Sequence, residues 1–246
     1  MEWTKGKTTI SVATGVLLVA GIIAMVLWLG DPRKRAQAKG ERLIKGHVAG
    51  PVNLTNNYNA PALSMLPSGL QTFNNVPVQI GGMICLWGEG GASRGMEFPK
   101  EVLDIPVHET FQTLYLYHKS SFGSPPGTPV CEVVFHYIDG ASATNRLLYG
   151  DDVLDWFAPG GTRVKGPSGP NSKIAWIGQM TVQNGGIQQL RTCMTAIENP
   201  DPKVRVSSID FYSCKSRTCI YIMAMTTGKT GLMNEAAAPF DDRKSK

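Results

Sequence analysis

Three carboxylates and two aromatic rings fall within the eight residues Tyr149-Gly150-Asp151-Asp152-Val153-Leu154-Asp155-Trp156. A flat ring beside carboxylates suits the recognition of a sugar, whose ring has an apolar face and a rim of hydroxyls. Tyr149 and Trp156 would supply the faces, and Asp151 and Asp152 the acceptors. Trp176 is a second aromatic candidate, although its place inside a strand pattern also suits a core position. The same carboxylates invite two further readings. As calcium ligands they lack the D-x-[DN]-x-[DN]-G order of a calcium loop. As a glycosidase pair, Asp151 would have to face Glu198 or Asp201 across a cleft, a separation that sequence does not show. The structural alternative is that Asp152 caps a short helical turn beginning near Val153, with Asp155 and Trp156 inside it.

Little else in the chain has catalytic spacing. His47, His108, His118 and His136 show no short metal-ligand spacing to one another or to the cysteines, so no metal site is assigned. His118 and His136 fall on consecutive predicted strands, and hydrogen-bonded structural roles are expected for them. No serine or cysteine sits in a nucleophile-elbow pattern. The glycine-rich loop Gly88 to Gly95 lacks the spacing of a phosphate cradle. The expectation is a non-catalytic protein without a cofactor.

Cys214 and Cys219 bracket Lys215-Ser216-Arg217-Thr218, between two predicted strands. A four-residue hairpin loop would set these cysteines opposite one another, within the Cα separation of about 5.5 Å that a disulfide needs. A Cys214–Cys219 disulfide is therefore expected. Cys85, Cys131 and Cys193 lie in apolar alternation and are expected as buried thiols. With five cysteines in the chain, at least one is free or pairs between chains.

Strands must position these groups. Leu114, Leu116 and His118 alternate with Tyr115 and Tyr117, and Cys131, Val133, Phe135 and Tyr137 alternate with Glu132, Val134, His136 and Ile138. Period two in β-branched and aromatic residues is the strand signature. The intervening SSFGSPPGTP is a loop, and Asp139-Gly140 is a turn leading into a short return strand, Arg146 to Leu148. Further strands are read near Val78 to Leu86, Ile174 to Ile177, Gln188 to Ile197, Val204 to Tyr212 (with a bulge at Ser207-Ser208) and Ile220 to Met225. Seven to nine short strands with Gly/Pro turns predict an antiparallel β-sandwich or jelly roll.

Ile10 to Leu29 is an uncharged run of twenty residues with Trp3 and Trp28 where interfacial aromatics belong, long enough as a helix to cross a hydrocarbon core of about 30 Å. A transmembrane helix over 10–29 is expected, in contact with the lipid bilayer. Ala36-Gln37-Ala38 offers a cleavage pattern, but Arg33-Lys34-Arg35 precedes it and the apolar run is long for a signal peptide, so a retained signal anchor is preferred. The net charge of +5 owes much to the six cations between Asp31 and Lys45, which speaks against a nucleic-acid partner. Their position after the helix would keep the domain cytoplasmic by the positive-inside rule. The expected disulfide argues for the opposite, extracytoplasmic side, and this orientation is the one adopted.

Several strings together resemble a known module: Leu114 to His118, Tyr137-Ile138-Asp139-Gly140, Leu148 to Val153 with Asp155-Trp156, Ala175-Trp176, Glu198-Asn199-Pro200 and Ser208-Ile209-Asp210-Phe211. Over Leu66 to Thr226 they resemble the bacterial galactose-binding-like domains and carbohydrate-binding modules found beside glycosidases and on cell surfaces. The resemblance implies an all-β jelly-roll sandwich and an exported, non-catalytic domain. The expected organisation is a short tail (1–9), the transmembrane helix (10–29), a polar linker (30–65), the β-sandwich domain (66–226) and a flexible tail (227–246). The expected function is a membrane-tethered module binding carbohydrate or cell-envelope glycan. The alternative is a structural or protein-interaction domain of the envelope, with an envelope protein as partner.

Overall fold

A computed structural model describes residues 48–159, 164–183 and 185–228. The expected membrane helix, the cleavage pattern and most of the C-terminal tail lie outside the described residues. Among the described residues no helix is long and apolar enough to cross a membrane.

The described chain is all-β, with antiparallel sheets and one short helix. In order come β1 (Val48–Pro51), β2 (Ala60–Pro61), β3 (Gly69–Phe73), β4 (Val76–Ile80), β5 (Gly82–Cys85), α1 (Glu89–Ala92), β6 (Glu101–Glu109) and β7 (Thr113–Ser121). There follow β8 (Pro129–Tyr137), β9 (Ser142–Leu148), β10 (Ser172–Thr181), β11 (Ile187–Glu198), β12 (Val206–Ser213) and β13 (Cys219–Gly228). The larger sheet runs β10-β11-β7-β13-β5-β2, and β1 pairs with the far end of β13. The smaller sheet runs β6-β12-β8-β9, and β3 and β4 form a separate hairpin. Asn74 and Asn75 make the two-residue turn of that hairpin, both with positive φ, the geometry that matches strand twist.

Most strand readings are present with longer bounds, but Val78 to Leu86 divides at Gly81 into β4 and β5 of different sheets and the strand read from Val204 begins at Val206. The bulge at Ser207-Ser208 appears as a register shift between Val206 and Ser208. On β8, Cys131, Val133, Phe135 and Tyr137 are buried, while Glu132, Val134 and His136 are less so. One core cluster draws Leu114, Leu116, Ile220 and Ile222 from the larger sheet together with Val133, Phe135, Ile209 and Phe211 from the smaller.

The central strand β7 is buried on both faces. Its other face packs Tyr115 and Tyr117 into a second cluster with Cys219, Tyr221 and the hairpin residues Val76, Val78 and Ile80. Phe73 stacks on Tyr117 with ring centroids 4.8 Å apart. A strand covered on both sides reads as a continuous apolar run, which is how LYLY reads. A bulge between Ile222 and Ala224 keeps β13 matched to both faces, sending Ala224 into the second cluster and Met225 into the first.

Three arrangements depart from the sequence reading. The stretch expected as linker carries β1 and β2, and Leu54 is buried in the first core. Its polar surroundings, Asn53 and Asn56-Asn57, hide a single inward side chain. The strand β6 was not foreseen because Pro106 interrupts it, Asp104 and His108 take positive φ, and only Ile105 is fully buried. These are habits of an edge strand, which is where β6 lies. The third departure concerns the cysteines. All five are free thiols, because β12 and β13 are not a hairpin: the chain between them crosses from the smaller sheet to the larger. Cys214 stays beside β8, donating its N–H to the Val130 carbonyl. Cys219 turns inward, its thiol directed at the Gly88 carbonyl.

Candidate functional site

The second face of β7 carries more than packing. Counting on from Tyr115 and Tyr117, the next residue of the same parity is Lys119, which is only 3 % exposed. In the register between β7 and β13 it stands opposite Tyr221. Its Nζ lies 3.7 Å from the centroid of the Tyr221 ring and 4.1 Å from that of Trp156. A desolvated ammonium against an aromatic face gains about 2 kcal/mol.

Trp156 reaches this position because residues 154–157 run along the end of β7. Ser120 Oγ donates to the Leu154 carbonyl at 2.7 Å, and Trp156 N–H donates to the Ser120 carbonyl at 2.8 Å. From the other side, the Arg191 N–H donates to the Trp156 carbonyl, and its guanidinium Nε donates to the Asp155 carbonyl at 2.8 Å. Phe157 packs at 4.7 Å from the Trp156 ring and is itself 41 % exposed. The Asp155 carboxylate accepts the Phe157 N–H at 3.0 Å.

Lys119, Tyr221, Asp155, Trp156 and Phe157 wall a cavity of about 380 Å³ that also meets Phe122, Phe98, Cys85 and Met83. The volume lies in the range of small-molecule sites. The exposed Phe157 and Met96 belong to its lining, so the cavity reaches the surface. Phe98 meets Tyr221 edge-on, and the guanidinium of Arg94 covers the Phe122 ring from behind at 4.5 Å. Behind the cavity the backbone is close-packed: a Cβ on Gly90 would overlap Phe122, and one on Gly91 would overlap the Cys219 thiol.

Burial sets the electrostatics. It brings the Lys119 amine down to about 8, against opposing influences from Cys85, Asp155 and Cys219. It pushes the Cys85 thiol and the Tyr221 hydroxyl up to about 12. Near neutral pH Lys119 is therefore a titratable cation beside a neutral thiol and a neutral phenol, and Asp155 also lies on the cavity wall.

The loop singled out in sequence is built differently. Tyr149 is half-buried against the first core, and its hydroxyl accepts the Asp155 N–H at 3.4 Å. Asp151 accepts a hydrogen bond from Ser168 Oγ at 2.9 Å. Asp152 does not cap a helical turn. One of its oxygens reaches back to the Leu148 N–H at 3.0 Å, and the other accepts from Ser172 Oγ at 3.1 Å. Burial raises its pKa. The chain of contacts continues inward from Ser172 Oγ to Thr195 Oγ1 at 2.8 Å, and from there to His118 Nε2 at 2.8 Å.

Ser172 gives its proton to the carboxylate, and Thr195 gives its own to Ser172 or to the Asp152 carbonyl at 3.3 Å, so in either case Thr195 accepts from His118 Nε2–H. This leaves His118 Nδ1 bare, and among the described residues that buried atom has no partner. Burial holds the imidazole neutral, at about 4. His118 and His136 stand on strands of different sheets and are not paired across a ladder; His136 pairs with Asp210 at 2.8 Å.

Of the five candidate ligand residues, Trp156 alone lines the cavity. Trp176 is half-buried on the edge strand β10, its ring lying over Gly178, where a Cβ would collide with it. Lys119 was missed because a lysine within His118-Lys119-Ser120-Ser121 reads as the solvated end of a strand; only extension of the Tyr115-Tyr117 parity would have pointed inward. Among the described residues no group of three or more His, Cys, Asp or Glu side chains is gathered for a metal ion. Compared with protein-family models, with curated proteins and with solved structures, the chain has no match.

Proposed function

We propose that this is a non-catalytic binding module, tethered to a membrane through 10–29, whose ligand site is the aromatic cavity around Lys119. In this reading the two antiparallel sheets are the layers of a galactose-binding-like jelly-roll sandwich, and the module faces the cell envelope. The free cysteines withdraw the disulfide as an argument for export, so the orientation rests on the resemblance alone.

The observation that carries the reading is the cavity itself. Trp156, Tyr221, Phe98, Phe122 and Phe157 surround it, and Lys119 and Asp155 are its charged groups. An apolar cleft with a few placed polar groups is the usual form of a small-ligand site. The walls favour a ligand with a flat apolar body and one polar substituent. A glycan is the second reading, favoured by the exposed Phe157 and the neighbouring Asp155, which offer a stacking face and an acceptor at the surface.

Titration of the full chain in lipid nanodiscs separates these. The probes are 2-naphthylmethanol and a glycan array, with tryptophan emission as the readout for the former. Saturable quenching by 2-naphthylmethanol, weakened at least tenfold in Phe157→Ala, supports the apolar-ligand reading. Array binding that depends on Phe157 and Asp155 puts the glycan first. Absence of both overturns the cavity as a ligand site.

A further inference from the structure

We propose that Lys119 is an imine-forming residue, capturing the carbonyl group of an aldehyde or ketone whose flat apolar body fills the aromatic cavity. The inference rests on the cavity being the ligand site and names the ligand's reactive group.

Geometry supplies the first argument. Lys119 is the one aliphatic amine on the cavity wall. It rises from a central strand and is held between two ring faces at 3.7 and 4.1 Å, so its nitrogen has a defined position rather than the freedom of a surface lysine. Among the described residues it makes no ion pair. A carboxylate in contact would have kept the nitrogen protonated and occupied.

Chemistry supplies the second. Only the neutral amine is nucleophilic, and a lysine desolvated in an apolar pocket becomes neutral within reach of physiological pH. Burial brings Lys119 to about 8, so at that pH about half of it is neutral. An exposed lysine of ordinary pKa near 10.4 has less than about 1 % in that form. The neighbouring Cys85 thiol, pushed up to about 12 by burial, stays protonated and does not compete for the carbonyl.

The step balances without an oxidant. The nitrogen lone pair adds to the carbonyl carbon, and a proton passes from nitrogen to oxygen to give a carbinolamine. The C–O bond then breaks as water leaves, the nitrogen loses its remaining proton, and a C=N bond forms. Amine and carbonyl give imine and one water. Asp155, the carboxylate on the wall, is the group available for the proton transfers. The apolar walls limit the return of water that would hydrolyse the product.

The test uses the full chain in nanodiscs with 2-naphthaldehyde and sodium cyanoborohydride, which reduces an imine to a stable secondary amine. Peptide mapping by mass spectrometry then locates the adduct. The expected result is modification of Lys119 at least tenfold above the exposed Lys165 and Lys203, rising between pH 7 and 9. Lys119→Met should lose that adduct, while labelling at the exposed Lys165 and Lys203 stays as in the wild type. Labelling of Lys119 no greater than at the exposed lysines overturns the proposal. If 2-naphthylmethanol still quenches tryptophan emission in that case, the cavity survives as a ligand site; if it does not, both readings fall. Tight binding of 2-naphthoate with no adduct from the aldehyde assigns Lys119 to anion recognition and likewise overturns the imine.

Discussion

His118 and Lys119 are neighbours in sequence, lie on opposite faces of β7, and are both buried. Burial pushes both toward their neutral forms. On the His118 face, hydroxyls and a carboxylate form a continuous chain through Thr195 and Ser172 to Asp152, inside packed structure. On the Lys119 face, two rings flank the amine and the remaining space is a cavity. Polar groups that hydrogen-bond one another specify a fold. Polar groups that face a cavity remain available to a ligand. The carboxylates of the 149–152 loop belong to the first kind, which is why a cluster so suggestive in sequence is a poor candidate for the site.

Substitutions on the two faces should separate these roles. The largest effect is expected at Trp156, which closes the cavity and is 8 % exposed. Trp156→Ala should cost about 3–5 kcal/mol in chemical denaturation, the range for a buried tryptophan. A loss below about 1 kcal/mol would show that the ring does not hold the cavity wall.

The His118 face should be sensitive to acid. Folded His118 stays neutral down to about 4, whereas its ordinary value is 6.5. The unfolded chain therefore binds the proton first, and stability is lost as pH falls from about 6.5 to 4. The loss from this group is about 3 kcal/mol. Asp152, whose pKa is raised by burial, works in the opposite direction. The quantity to read is therefore the difference between wild type and His118→Gln in denaturation midpoints across that range. Equal pH dependence in the two proteins would mean that His118 is not buried as described.

Lys119 should behave in the same sense on the alkaline side, stability rising with pH. Its folded value near 8 lies below its ordinary 10.5, so its burial penalty is complete below pH 8 and vanishes above about 10.5. Lys119→Met should stabilise the domain at pH 7 by about 1–3 kcal/mol, the two ring contacts offsetting part of the penalty. The gain should shrink toward zero by pH 10.5. The buried thiols carry a stability loss over the same range in both proteins, so this too is read as a difference.

The smallest effects belong to the loop. Asp152→Ala strands the Leu148 N–H and the Ser172 hydroxyl and should cost about 1–3 kcal/mol. Asp151→Ala removes a single bond to the exposed Ser168 side chain and should cost less than about 1 kcal/mol. Neither should change binding of 2-naphthylmethanol. A tenfold loss of affinity in Asp151→Ala would return the site to the loop.

The all-β class and the β7, β8, β11, β12 and β13 strands were legible because alternation of large apolar residues survives in the sequence. The edge strand β6 was not, since an edge tolerates Pro106 and left-handed residues that break the pattern. Partner choice was equally hidden: nothing in Cys214 to Cys219 says that the chain there crosses between sheets instead of turning back. For the site, the sequence picked Trp156 by its type and missed Lys119 and Tyr221, which become neighbours only through the β7–β13 register. Spacing along one loop exposes a cluster, whereas register between strands assembles a cavity.

Chemical-shift mapping with 2-naphthylmethanol, using the full chain in nanodiscs, tests most directly whether the cavity rather than the loop receives a ligand. The account predicts perturbations concentrated at Met83 to Cys85, Met96 to Phe98, Lys119 to Phe122 and Asp155 to Phe157, with Tyr221. Perturbations centred on Tyr149 to Asp152, Ser168 and Ser172, with the cavity residues unmoved, would contradict it.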